Sequence, residues 1–190
     1  RAFILGESSI NTNNVTCFAI ANEKEYLTKD GILNKFVHHV NWCAEHTPWS
    51  RLKLKDSYNE MQRVMGYKNR EGLVQGTQNS VIGVTTQGDP DKARGKRGPL
   101  VYWEEFGKNP YLLQSWEIAR HSVEDGDISV GQLIGGGTGG TESADFKGAE
   151  TLFYSPGGYH VRAIPNIYDK NAIGQTKCAF FFPAYLNRTG

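Results

Sequence analysis

The stretch Pro99-Leu-Val-Tyr-Trp-Glu-Glu-Phe-Gly107 decides how this chain is read. Leu100 to Trp103 are bulky and uncharged, the composition of a short buried strand. Glu104 and Glu105 stand at its C-terminal end. In an open parallel sheet, ligands bind at that end. Two adjacent acids there suit a metal–nucleotide site, in which one holds Mg²⁺ and the other orients a water. The same residues also suit a strand that leaves the core into a charged loop, so the flanking sequence has to discriminate.

Upstream, Ser80 to Thr86 reads as another strand. Gln87 to Gly98 is loop, since Gly88, Pro90, Gly95 and Gly98 break periodicity. It carries Lys92, Arg94, Lys96 and Arg97, the densest positive cluster in the chain. Such a cluster suits solvated charge. It also suits an arginine that neutralises a transferring phosphate, or a nucleic-acid contact, although no aromatic residue is interleaved.

Downstream, Asn109-Pro110 predicts a helix with Asn as cap and Pro in the first turn. Leu112, Leu113, Trp116, Ala119 and Val123 form its apolar face, and Gly126 ends it. Ile128 to Ile134 predicts a strand running straight into Gly135-Gly-Gly-Thr-Gly-Gly140.

Farther out, Val15 to Ala21 predicts a first buried strand. Thr28 to Glu45 predicts a helix, capped by Thr28 or Asp30 and followed by the stop at Pro48. Arg51 to Lys55 suits a short strand, Tyr58 to Tyr67 is ambiguous, and Asp145 to Phe153 suits a short helix. Tyr159 to Ile164 and Cys178 to Phe182 are further strand candidates. Alternating strands and helices imply an α/β fold with a mostly parallel sheet. Neighbouring parallel strands would then bring the glutamate pair and the glycine run to one edge.

Composition narrows the function classes. At 190 residues there is material for one good core, and the net charge of +1 gives no bulk attraction to nucleic acid or membrane. No apolar run approaches membrane-spanning length, and the apolar start at Ala2–Leu5 is too short for a signal peptide. Cys17, Cys43 and Cys178 lack metal-site spacing, which argues against structural zinc and for buried thiols in a reducing compartment. The histidines show no His-x-x-x-His pair.

Gly135, Gly137 and Gly140 match Gly-x-Gly-x-x-Gly, which raises a dinucleotide-binding reading. Glu142 and Asp145 follow closely, and negative charge beside a pyrophosphate is unfavourable. A tight turn, or a loop sensing phosphate through backbone N–H groups and the Thr138 hydroxyl, are the other readings. The P-loop pattern Gly-x-x-x-x-Gly-Lys-[Ser/Thr] is absent from the 190 residues.

The order of parts resembles the ATPase domain of the large terminase subunit, the DNA-packaging motor of tailed phages. Lys92 to Pro156 carries the resemblance: a basic loop, an acid-tipped strand, a helix opened by Asn-Pro, and a strand ending in Gly-Thr-Gly-Gly. It implies a P-loop NTPase-like (RecA/ASCE-type) mostly parallel sheet flanked by helices, truncated at the N-terminus, with residues 1–190 forming a single partial domain. Glu104 would take the magnesium-binding position and Glu105 the catalytic, water-orienting one. Gly137, Thr138, Gly139 and Gly140 would belong to the nucleotide-sensing coupling motif. Arg94 looks like the arginine that reaches a neighbouring subunit's nucleotide.

The resemblance further implies Mg²⁺ and ATP as cofactors, double-stranded DNA, portal and small terminase subunit as partners, a homo-oligomeric ring, and the cytoplasm of the bacterial host. The family usually has Asp where Glu104 stands. Its Walker A loop would lie upstream of Arg1 and its nuclease domain beyond Gly190, so the isolated chain is expected to be a fragment inactive for lack of Walker A. The strand at 128–134 would then have an unpaired edge, closed by Cys178 to Phe182 or by another chain. A Rossmann-like dinucleotide-binding enzyme and a non-catalytic NTPase-like interaction domain remain the alternatives.

Overall fold

The computed structural model describes residues 6, 11–49, 52–137, 146–171 and 173–180. In chain order, β1 (Thr16–Ala21) is followed by helix α1 (Ile32–His46), then β2 (Lys53–Lys55) and β3 (Gln62–Met65). A hairpin of β4 (Tyr67–Lys68) and β5 (Val74–Gln75) precedes β6 (Ser80–Thr85) and β7 (Leu100–Glu104). Helix α2 (Leu112–Arg120) leads to a second hairpin, β8 (Glu124–Asp125) and β9 (Ile128–Ser129), and then to β10 (Gln132–Gly136). Helix α3 (Lys147–Tyr154) and the strands β11 (Ala163–Pro165) and β12 (Lys177–Ala179) follow.

Six strands form the main sheet in the order β10-β7-β1-β6-β3-β2. The first four are mutually parallel. β3 runs antiparallel to β6, and β2 antiparallel to β3. The result is the α/β class expected from the alternation. Because β3 runs backwards, the β4–β5 hairpin that follows it lies at the N-terminal edge of the parallel strands.

Alternate residues of the central strands feed two separate cores, as strands covered on both faces must. Cys17, Ala19 and Ala21 of β1, with Leu100 and Tyr102 of β7, pack against Ile32, Leu33, Phe36 and Val40 of α1. Phe18, Ile20, Val101 and Trp103 pack against Leu112, Trp116 and Ala119 of α2 and Leu152 of α3. Each large apolar side chain, fully buried, contributes on the order of 1.5–3 kcal/mol. The three cysteines are buried, as expected.

The structure corrects several boundaries. α1 starts at Ile32 from Gly31, with no side-chain cap, because the Thr28 hydroxyl donates to the Lys24 carbonyl in the preceding turn. α2 starts two residues past Pro110, from Tyr111 and with no side-chain cap; Asn109 Oδ1 accepts from Tyr111 N in the turn just ahead of the helix, and Nδ2 donates to Thr86 Oγ1. That helix ends at Arg120, and Gly126 instead turns the β8–β9 hairpin with φ 60°.

The predicted strand at 128–134 is two elements. Gly131 separates them, pressed so close to the Gly98 carbonyl that a Cβ would stand 2.7 Å from it. β10 therefore runs into the glycine run and takes Gly135 and Gly136. β12 pairs antiparallel with β11 and does not close the sheet. Among the described residues β10 has one strand neighbour, β7.

Candidate active site

The parallel strands β10, β7, β1 and β6 deliver their C-terminal ends to one edge. Register aligns Gly136 with Glu104 across the β10–β7 pair. The glutamate pair and the glycine run are thus brought together, as the sequence implied for neighbouring parallel strands.

Glu104 is the last residue of β7 and is buried, 6% exposed. Glu105 is half-buried and sits in the left-handed region, at φ 48° and ψ 41°. That conformation turns the chain from the strand straight into the 3₁₀ turn Phe106–Lys108. A non-glycine residue held there stores on the order of 1–2 kcal/mol, a cost typical of functional positions. Gly137 lies against this bend: a Cβ on it would stand 3.4 Å from Glu105 Cα and 3.5 Å from Phe106 N. Farther along, Gly107 is packed on the ring of Phe146, the residue before α3. Thr138, Gly139 and Gly140 lie outside the described residues.

Arg94 is placed elsewhere. It follows the 3₁₀ turn Pro90–Ala93 after β6, is exposed, and pairs with Asp91 at 2.7 Å. Two strand spacings separate β6 from β7, which is about 10 Å across the sheet. Ala93 is buried in the α2-side core and anchors the turn. The structure therefore joins Glu104, Glu105 and Gly137, and sets Arg94 apart on the outer side of that edge.

Three polar residues at this edge were not among the expected site residues. Thr86 and Asn109 are buried and bonded to each other. Asn22 directly follows β1, and its Oδ1 is buried without a hydrogen-bond partner. The available signal was a polar residue placed directly after an apolar strand. The Glu104 carboxylate is a hard oxygen donor of the kind Mg²⁺ takes. No group of three or more His, Cys, Asp or Glu gathers among the described residues.

Comparison with solved structures identifies the fold. The ATPase domain of the large terminase of Thermus phage P74-26 superposes with a TM-score of 0.52 at 15% identity, covering 74% of this chain and 55% of that one. A point mutant of that domain gives 0.54 at 14%, covering 75% and 55%.

The chain has the fold of a terminase ATPase domain.

The large terminase of a second thermophilic bacteriophage agrees, with a TM-score of 0.51 at 11% identity, covering 80% of this chain and 34% of that one. The chain thus spans about half the length of the Thermus phage domains and about a third of the second phage's protein. No protein-family profile matches the sequence, and no curated protein matches it. Among the described residues no helix is long and apolar enough to cross a membrane.

The terminase fold also bears on the dinucleotide alternative. A dinucleotide fingerprint needs a second strand of the same sheet to follow the glycine run and to end in an acid. The next described strand here is β11, which ends in Pro165 and, among the described residues, pairs with β12 and not with the main sheet.

Proposed function

We propose that this chain is the part of a terminase-type motor that carries the catalytic acids and the coupling glycines, and that the whole enzyme uses ATP hydrolysis to drive double-stranded DNA into a capsid. The observation that supports this most is the contact of Gly137 with the Glu105 bend, beside the buried Glu104, on a terminase ATPase fold. Glu105 would accept a hydrogen bond from the attacking water and hold it in line with the γ-phosphate. Its left-handed backbone fixes the direction in which the side chain leaves the strand.

Glu104 would hold Mg²⁺. When bound, the ion neutralises charge on the β- and γ-phosphate oxygens. Gly137, Thr138, Gly139 and Gly140 would report the state of the phosphate to the segment that follows them. Arg94, exposed and remote from its own glutamates, would serve a neighbouring subunit's nucleotide in a homo-oligomeric ring. The other partners in this reading are the portal and the small terminase subunit, in the cytoplasm of the bacterial host.

The 190 residues contain no P-loop sequence to cradle the β- and γ-phosphates, so the isolated chain would not turn ATP over at a useful rate. The test is Mg-ATP turnover by this chain and by a version extended upstream through a P-loop. Turnover only in the extended protein, abolished by Glu105→Gln, supports the reading. Turnover by the 190-residue chain that Glu105→Ala removes would overturn its inactivity. Turnover in the extended protein that survives Glu105→Gln would overturn the site.

A further inference from the structure

The left-handed bend at Glu105 opens a turn that does little to hold it. The 3₁₀ turn Phe106–Lys108 is closed by backbone bonds from Lys108 N to the Glu105 carbonyl at 3.1 Å and from Asn109 N to the Phe106 carbonyl at 3.2 Å. Hydrogen bonds in so short a 3₁₀ turn are poor in geometry. A strained backbone residue persists only where its surroundings over-determine it. The support for Glu105 therefore comes from outside the turn.

Gly107 marks one point of that support. It is buried, and its backbone lies outside the left-handed region, so no torsion requires glycine there. Space requires it: a Cβ at 107 would overlap Cδ1 and Cε1 of the Phe146 ring. The ring occupies the place of the missing side chain. Among the described residues, Phe146 belongs to neither core. It is half-buried, and its carbonyl accepts from Glu150 N at 2.9 Å to open α3. Gly148 brings α3 close to α2, where a Cβ would stand 3.1 Å from Leu112 Cβ, and Leu152 anchors the helix in the α2-side core. A docked helix thus presses the ring onto the turn.

We infer that Phe146 is a positioning residue for Glu105, an inference that rests on Glu105 being the water-orienting acid. The ring fixes the path of the turn, and the turn fixes the bend from which the carboxylate leaves β7. Without the ring, the turn relaxes into the space it vacates and the carboxylate swings out of line. A misplacement of about 1 Å costs about a hundredfold in rate. The ring carries no group for a phosphate, so the loss falls on kcat and not on KM.

The experiment has two readouts. Amide hydrogen exchange by NMR compares the 190-residue chain with its Phe146→Ala and Val40→Ala variants. Val40 lies in the α1-side core and serves as the control for general destabilisation. In Phe146→Ala the Lys108 and Asn109 amides are expected to exchange at least about tenfold faster, with β7 unchanged. Turnover of Mg-ATP by the version extended upstream through a P-loop gives the second readout. Phe146→Ala is expected to lower kcat about a hundredfold with KM within about twofold, and Val40→Ala to leave both unchanged. Gly107→Ala/Phe146→Ala, whose new methyl fills part of the vacated space, is expected to regain about tenfold. Phe146→Leu keeps apolar volume should the alanine variant not fold, and is expected to fall between it and wild type.

Unaltered exchange at Lys108 and Asn109 would overturn the inference. So would equal losses in Phe146→Ala and Val40→Ala, which would mark general destabilisation. A KM that rises while kcat holds would place Phe146 in the nucleotide pocket and overturn it as well. Turnover lost in Glu105→Gln but kept in Phe146→Ala would overturn the positioning alone. Turnover that survives Glu105→Gln would overturn the reading of the site, and the inference with it.

Discussion

Gly137 rests on the backbone of Glu105, close enough that a Cβ on the glycine would stand 3.4 Å from Glu105 Cα. The end of β10 therefore runs alongside the bend after β7. Two residues earlier the fit is tighter: a Cβ on Gly135 would lie 3.1 Å from Cγ of the Phe106 ring. Gly135→Ala is expected to destabilise by about 1–2 kcal/mol through overpacking, whereas Gly137→Ala meets only ordinary van der Waals contact and stays within about 0.5 kcal/mol of wild type. Urea unfolding of the two variants checks this. Equal midpoints would show that the ring yields without cost.

The left-handed backbone at Glu105 makes a second expectation. Asn tolerates that region better than Glu. Glu105→Asn should therefore leave stability unchanged or raise it by up to about 1 kcal/mol, while removing turnover in the extended protein. Thermal denaturation beside an ATPase assay reads both. A variant clearly less stable than wild type would show that the Glu105 side chain makes contacts worth more than the backbone strain.

What the sequence disclosed follows from how each segment is buried. β1, β6 and β7 were legible because strands covered on both faces must be continuously apolar. The edge carrying Glu104, Glu105 and Gly137 followed from parallel pairing alone. The run from Ile128 to Ile134 misled because Ile128 and Val130 have strand-like spacing, yet they are 69% and 58% exposed on a hairpin. Only the tertiary contact at Gly131 divides them. Asn109 was read as the helix cap, but its Oδ1 accepts from Tyr111 N just short of the helix, and the Nδ2 bond to Thr86, 23 residues earlier, leaves no local trace. Asn22 carries one sequence mark, its place directly after an apolar strand, and packing alone leaves its Oδ1 buried without a hydrogen-bond partner.

Cys17 gives an expectation in pH. Burial at 1% exposure pushes its thiol from 9.0 up to about 11. The unfolded chain releases this proton near pH 9 and the folded chain holds it, so the unfolded state binds fewer protons between those values. Stability is then full below about pH 9 and falls as pH rises toward 11, by about 2–3 kcal/mol from this group. Because lysines and tyrosines titrate in the same range, the useful quantity is the difference between wild type and Cys17→Ala. That difference should shrink or reverse between about pH 8 and about pH 10.5. A difference independent of pH would mean that the thiol is not desolvated in the folded chain.

Arg63 is the most demanding residue outside the site. It is fully buried on β3, with Nη1 donating to the carbonyls of Glu60 at 2.6 Å and Gln62 at 3.1 Å. Nη2 donates to Asn34 Oδ1 at 2.6 Å and reaches the Tyr58 carbonyl at 3.5 Å. Burial lowers the pKa of its guanidinium, and the charges of Asp56 and Glu60 oppose that shift. No acid bonds it directly among the described residues, so carbonyl and amide dipoles carry the compensation. The fork ties the segment before β3 to the first turn of α1. Arg63→Met fills much of the volume and leaves those acceptors without their donor, an expected loss of about 2–4 kcal/mol. Arg63→Lys keeps the charge but cannot reproduce the planar fork, and should lose nearly as much. Equilibrium urea unfolding decides between the two sources of stability. A lysine variant as stable as wild type would show that charge alone, and not the geometry of the donors, holds β3 to α1.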